Sequence, residues 1–209
     1  IYLDSSERIK LGLKPQSYQI TQLDYFKKIL DSSVKVHRIP LELNGFCKNI
    51  YWILRRTDYS SNNQWFNFTN WASPTINPII NQGRNYDVFN TSAIDNISSD
   101  NFDSLKNKQI LAQARLLIDG KEYTELKTYQ MFKVDNDGIY RISFELFDNP
   151  ANTQSTGYLN LSKHSKIELE LHLIDNETNK TYNYEFILFS HKFNNLKITS
   201  GMGNLEYAN

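Results

Sequence analysis

Ile139 to Leu173 reads IYRISFEL-FDNPANTQSTGYLN-LSKHSKIELELHL, and both ends of it alternate. Tyr140, Ile142, Phe144 and Leu146 fall on one side, with Arg141, Ser143 and Glu145 on the other. Further on, Ile167, Leu169, Leu171 and Leu173 alternate with Glu168, Glu170 and His172. A period of two means a strand with one face in a core and one face toward water. The spacing therefore predicts two strands flanking a polar loop. It also predicts that Tyr140, Ile142, Phe144, Leu146, Ile167, Leu169 and Leu171 fill one core between two sheets.

Working outward, the same pattern recurs. Val34 to Leu43 reads as a strand whose phase shifts at His37-Arg38, which a bulge would explain. Asn44-Gly45 marks a turn, and Asn49 to Leu54 (NIYWIL) is the apolar run of a strand inside a sandwich. Ile110 to Ile118, Asp119-Gly120 and Lys121 to Leu126 form a hairpin signal. Thr128 to Phe132 suits one short helical turn, and Tyr182 to Phe189 another strand. At the start, Ile1 to Asp4 reads as the end of a strand. A polar connector follows, partly helical, capped at Asp4-Ser5-Ser6-Glu7 and broken early by Gly12 and Pro15. Residues 71–107 show no sustained period and read as a long surface insert. The sum is an all-β chain: an eight-stranded antiparallel jelly roll, or β-sandwich, with long loops and short helical connectors.

Composition bounds the function. The 209 residues suffice for one substantial core, and 40% hydrophobic with 13% aromatic content is that of a globular domain. Lys+Arg 23 against Asp+Glu 23 cancel, so the totals carry no basic signature of a nucleic-acid coat. A single cysteine, Cys47, rules out an intramolecular disulfide framework and points to assembly in a reducing compartment. No apolar run reaches the length of a membrane-spanning helix, and the opening residues carry no signal-peptide pattern, so none is expected.

Chemical motifs are sparse. No nucleophile elbow, HExxH or P-loop is present. Ser200-Gly-Met-Gly203 lacks the lysine and the strand-to-helix context of a phosphate loop and reads as a turn beside the last strand. His37, His164, His172 and His191 share no metal-ligand spacing. Cys47 suits a small buried side chain better than a reactive thiol. Glu168 and Glu170 share a face, but an exposed one, where Lys163 and Lys166 suggest surface ion pairs rather than a glycosidase pair. Trp65, Phe66, Phe68 and Trp71 are candidate sugar platforms, although at that density half or more belong to core or subunit contacts. Sequons at Asn67, Asn90, Asn96, Asn160, Asn176 and Asn179 are what an Asn-rich chain supplies by chance. The expectation is a non-enzyme with no catalytic, cofactor or metal site.

Five stretches carry a family resemblance. Ser143 to Ser162 fits the pattern SF-x-L-x(3)-P…Q-S/T-x-G-x-x-N-x-S. Leu41 to Leu54 (LELNGFCKNIYWIL) presents Lys48 and Trp52 in a strand hairpin, and Asn63 to Asn70 reads NQWFNFTN. Tyr2-Leu-Asp4…Glu7-Arg8 precedes Tyr18-x-Ile20-x-Gln22-Leu23. The end, Asn194 to Tyr207, reads NNLKITSGMGNLEY and is the most specific of the five. In this order they resemble the major capsid proteins of nucleocytoplasmic large DNA viruses, which carry two jelly rolls in tandem.

The resemblance covers nearly the whole chain except residues 71–107. It implies that residues 1–30 are the end of a preceding jelly roll and its connector, and that 31–209 are the C-terminal jelly roll. The first jelly roll would then lie outside this sequence. The implied function is a structural subunit of trimeric, pseudo-hexagonal capsomers in an icosahedral virion, assembled in the host cytoplasm. The implied partners are two more copies, neighbouring capsomers, minor capsid proteins and an inner membrane, with no direct nucleic-acid contact. By the same resemblance, the insert at 71–107 is an outward tower. Two other readings stay open: a double jelly-roll scaffold that shapes viral membranes, and a carbohydrate-binding β-sandwich.

Overall fold

The computed structural model describes residues 4–61, 63–70, 109–134, 138–146, 156–174, 182–200 and 202–207. The expected tower at 71–107 therefore lies outside the described residues.

Asp4 caps helix α1 (Ser5–Leu13) as its sequence predicts. Its carboxylate accepts from the Ser5 amide at 2.7 Å while the Glu7 carboxylate accepts from the Asp4 amide at 3.2 Å. The helix runs through Gly12 rather than breaking there and stops just before Pro15, which disfavours helical backbone in the residue ahead of it. Where a polar connector is expected, Gln16–Leu30 forms the long strand β1. Its apolar side chains are spread too thinly for a core strand. A neighbour holds it instead: β1 pairs residue for residue with β10 (Tyr184–Thr199), from Gln16 opposite Ile198 to Leu30 opposite Tyr184.

The other strands are β2 (Val36–Pro40), β3 (Phe46–Arg56), β4 (Leu111–Ile118), β5 (Lys121–Glu122), β6 (Lys127–Thr128), β7 (Ile139–Ser143), β8 (Leu159–Asn160), β9 (Ile167–Leu173) and β11 (Met202–Leu205). They make two antiparallel sheets, ordered β1-β10-β3-β7 and β2-β9-β4-β5. β8 and β11 extend the first sheet and β6 the second. Two sheets, of six and five strands with four on each main path, interleave early and late strands in the jelly-roll arrangement expected of the sequence. β5, β6 and β8 are only two residues long, which is why periodicity could not reveal them.

The core lies between the sheets. Ile50, Trp52, Leu54, Tyr140, Ile142, Tyr184, Phe186 and Leu188 face Ile39, Leu116, Ile167, Leu169 and Leu171, all buried. Tyr140 and Phe132 pack on Trp52, each with its ring centroid 5.7 Å away. Six of the seven expected core residues belong here, with Phe144 partly buried at the edge. Leu146 does not: β7 ends at Ser143, the chain turns away, and Leu146 is 84% exposed.

The expected bulge at His37-Arg38 is also absent. β2 pairs with β9 without a break, Ile39 faces the core, and Val34 and Val36 simply point outward. Register shifts occur elsewhere, at Lys48 on β3 and Ala112 on β4, where each strand carries one residue more than its partner.

Asp119-Gly120 makes the tight turn between β4 and β5, with φ of 50° and 77° as a two-residue hairpin turn requires. Gly157, from the motif that carries the resemblance, passes so close to another segment that a Cβ there would sit 2.9 Å from the Phe144 carbonyl oxygen. Ser200, with φ of 52°, leads from β10 toward β11; Met202 and Gly203, expected in a turn, belong to β11 instead.

Candidate assembly face

The two sheets present different outer faces. Residues opposite one another in the first sheet form crosswise rows that can be read from the register. Tyr25, Phe189, Tyr51 and Arg141 make one row, and Lys27, Ile187, Ile53 and Ile139 the next. A third row carries Ile29, Glu185 and Arg55. This face is apolar and open along β1, where Leu23, Tyr25 and Ile29 are 62%, 58% and 49% exposed. The Tyr25 and Phe189 rings touch, with centroids 5.5 Å apart.

One charge is set into this face. Glu185 is buried and bridges Lys27 and Arg55. Burial works against its charge, but hydrogen bonds from Lys27 and Arg55 outweigh that and hold its carboxyl below the usual range. The Arg55 guanidinium also lies 3.9 Å over the Tyr59 ring, and Tyr59 meets Trp65 edge-on at 5.0 Å. The aromatic surface thus continues off the sheet into the tract from Asn63 to Asn70. Trp65 is half exposed and Phe66 almost wholly so. Trp71, the second expected sugar platform, lies outside the described residues. Phe68 packs beneath Gly138.

The outer face of the second sheet is polar, and here the sequence reading needs a correction. Glu170 is not an exposed strand-face carboxylate: it is buried beneath Arg38, Arg115 and His172. Arg38 Nε lies 2.6 Å and Arg115 Nε 2.9 Å from its carboxylate, and His172 Nε2 lies 2.9 Å away. Arg115 and Arg38 sit opposite Glu170 on the two flanking strands, a contact visible only once β9 is placed between β4 and β2. Glu168 keeps the expected surface pairing, with Lys166 at 3.0 Å. The two carboxylates therefore play different structural parts.

Asp119, His164 and Ser165 bring together three residue types of a hydrolase triad, but in the wrong order. His164 Nδ1 lies 2.8 Å from the Asp119 carboxylate, and Ser165 donates its hydroxyl to that same carboxylate at 2.9 Å. Asp119 also accepts from the Ser165 and Lys166 amides, so it clamps the loop before β9 onto the β4–β5 turn. The His164 and Ser165 bonds come first in holding its carboxyl below the usual range. Cys47 is buried, with burial pushing its thiol up to about 12, so it behaves as a packed side chain. Among the described residues no group of three or more His, Cys, Asp or Glu is placed to hold a metal ion.

Two sequons are described. Asn67 is buried, and its side-chain oxygen accepts from the Thr69 amide at 3.0 Å and hydroxyl at 2.6 Å, a turn that closes the NQWFNFTN tract. Asn160 caps the 3-10 turn Leu161–Lys163 by accepting from the Ser162 amide.

Known proteins share this architecture. The family model for the large eukaryotic DNA virus major capsid protein matches residues 7–204. "Probable capsid protein 4" of Acanthamoeba polyphaga mimivirus is 25% identical over 213 residues, covering 99% of this chain and 37% of that protein. In the PBCV-1 virus capsid, a chain at 20% identity superposes with a TM-score of 0.70, covering 100% of this chain and 55% of that one. The Faustovirus major capsid protein gives 0.59 at 12% identity, over 93% of this chain and 36% of that one. The chain thus spans about a third to a half of the length of these relatives. With its jelly-roll order and a family match over nearly its whole length, the chain belongs to the large eukaryotic DNA virus major capsid proteins.

Proposed function

We propose that this chain is the C-terminal jelly roll of a two-jelly-roll capsid subunit, and that three such subunits close into a pseudo-hexagonal capsomer of an icosahedral shell. As a member of its family the chain is a structural protein of the virion capsid. Three chains with two similar domains each supply six similar walls, so a threefold ring tiles like a hexagon.

The observation that carries the reading is the open apolar stripe of Leu23, Tyr25 and Ile29 along β1, on the outer face of the first sheet. A sandwich needs only its inner faces apolar. Large exposed side chains in register on an outer face mark a surface that another domain covers. The buried Glu185 pair gives that contact a charged reference point among apolar neighbours. The second sheet, with its lattice of Arg38, Glu170 and Arg115, suits a wetter boundary.

The test is light scattering on the full-length polypeptide. Trimers are expected, and Leu23→Ser with Tyr25→Ser should lower the mass to that of a monomer while leaving the β-sheet circular dichroism in place. A wild-type polypeptide that stays monomeric at high concentration would overturn the proposal.

A further inference from the structure

At one end of the sandwich a lysine, an amide and a carboxylate from three separate segments meet. Lys192, on β10, is buried, and its Nζ lies 2.8 Å from the side-chain oxygen of Asn44 and 2.5 Å from the Asp24 carboxylate. Asn44 belongs to the segment between β2 and β3, and Asp24 to β1. A carbonyl bond is about 1.2 Å long. The Asn44 Cγ is therefore no more than about 4 Å from Nζ, close to the separation at which attack begins.

We propose that Lys192 and Asn44 become joined by an isopeptide bond, with Asp24 relaying the proton. The Lys192 ammonium gives a proton to Asp24, and the neutral amine attacks the Asn44 Cγ. Asp24 passes the proton to the departing amide nitrogen. The Nζ–Cγ bond forms, the Cγ–Nδ2 bond breaks, and ammonia leaves, taking up the remaining proton as ammonium. No oxidant or cofactor enters the balance.

Three features favour this pairing. Asn44 precedes Gly45, the sequence in which an asparagine amide is most open to attack, ordinarily by the glycine nitrogen. Here the Gly45 amide is committed to the Ser162 hydroxyl at 2.8 Å, which leaves Lys192 as the nucleophile in place. The Lys192 stem also runs alongside Gly45, at ordinary van der Waals distance: a Cβ there would lie 3.5 Å from the Lys192 Cδ. Finally, a cleft of about 60 Å³ bordered by Asn44, Lys192 and Tyr207 gives ammonia a way out. The bond would join residues 148 apart in the chain and tie the segment before β3 to the strand that pairs with β1. Such a link restricts the unfolded chain most when the loop it closes is long.

Intact-mass and peptide-mapping spectrometry on the natively purified chain test the proposal. The expected result is a loss of about 17 Da, one ammonia, and a branched peptide joining the Asn44 and Lys192 segments. Lys192→Arg and Asn44→Ala should each restore the encoded mass, and Asp24→Ala should slow the loss at least tenfold in a refolding time course. Linear Asn44 and Lys192 peptides at encoded mass from folded wild-type chain would overturn it. So would a gain of about 1 Da at Asn44, which is hydrolysis of its amide, or a loss of about 18 Da linking Lys192 to Asp24. Asp24→Ala reacting as fast as wild type would remove the relay.

Discussion

Lys48 Nζ lies 3.2 Å from Glu145 Oε1, and the two side chains are 3% and 1% exposed. Asn49, the next residue on β3, donates to the other Glu145 oxygen at 3.0 Å. Neighbours on a regular strand point to opposite faces. Lys48 and Asn49 reach the same carboxylate because Lys48 is the extra residue of the β3 bulge. Alternation puts Glu145 on the wet face, where its loss would cost little; the structure reverses that expectation. Glu145→Ala removes the buried carboxylate that faces Lys48 and should cost about 3–5 kcal/mol by urea unfolding. Lys48→Met with Glu145→Leu should recover most of that loss, since removing both charges also removes the cost of burying them.

Trp52 should dominate the core ledger. It is fully buried between Phe132 and Tyr140, and Trp52→Ala should cost about 3–5 kcal/mol. Its indole N–H has no hydrogen-bond partner among the described residues, so Trp52→Phe loses packing only and should cost clearly less. Leu146→Ala, at an exposed position, should fall within about 0.5 kcal/mol of wild type. Chemical unfolding of the three variants ranks them directly.

Gly138 should tolerate no side chain. Its φ is 84°, and a Cβ there would lie 2.1 Å from the Phe68 Cβ. Gly138→Ala should therefore cost more than the roughly 1 kcal/mol that a left-handed backbone alone imposes. It should also raise proteolysis within the tract from Asn63 to Asn70, which Phe68 anchors. Phe68→Gly, which removes that Cβ, should cost less in the Gly138→Ala background than alone, and equal costs would mean that the clash is not the cause.

Glu170 should make the fold acid-sensitive in a defined window. Burial opposes its charge, yet hydrogen bonds from Arg115, His172 and Arg38 win and lower its carboxyl from 4.5 to about 2. A depressed folded-state value means that the unfolded chain binds the proton more readily. Its stabilisation is therefore complete above about 4.5 and is lost as pH falls through 4.5 toward 2. Glu170→Gln should be destabilised at neutral pH, with the gap from wild type closing across that window. A gap that stays constant down to pH 2 would place the acid sensitivity elsewhere.

The sequence by itself determined the class, the core and the family. Ile167–Leu173 and Tyr140–Ile142 alternate because one sheet face must be dry, and that local constraint survives folding unchanged. Asp119-Gly120 announces its hairpin turn through backbone angles that few other residues adopt, whereas Asn44-Gly45 makes a bend only: β2 and β3 lie in different sheets, so the hairpin expected there does not form. The ending from Asn194 to Tyr207 pointed to the capsid proteins, and the family match agrees.

What the tertiary structure alone decided concerns pairs far apart in the chain. β1 is a strand because β10 lies beside it, and β10 runs on to Thr199 because β1 pairs with it as far as Ile198 and β11 pairs with its last four residues. Glu170 is buried because Arg38 and Arg115 arrive from flanking strands, and Glu145 because a bulge turns Lys48 toward it. Strand periodicity records which face a residue takes. It carries no information about which strand lies next to it, and these contacts depend on that neighbour.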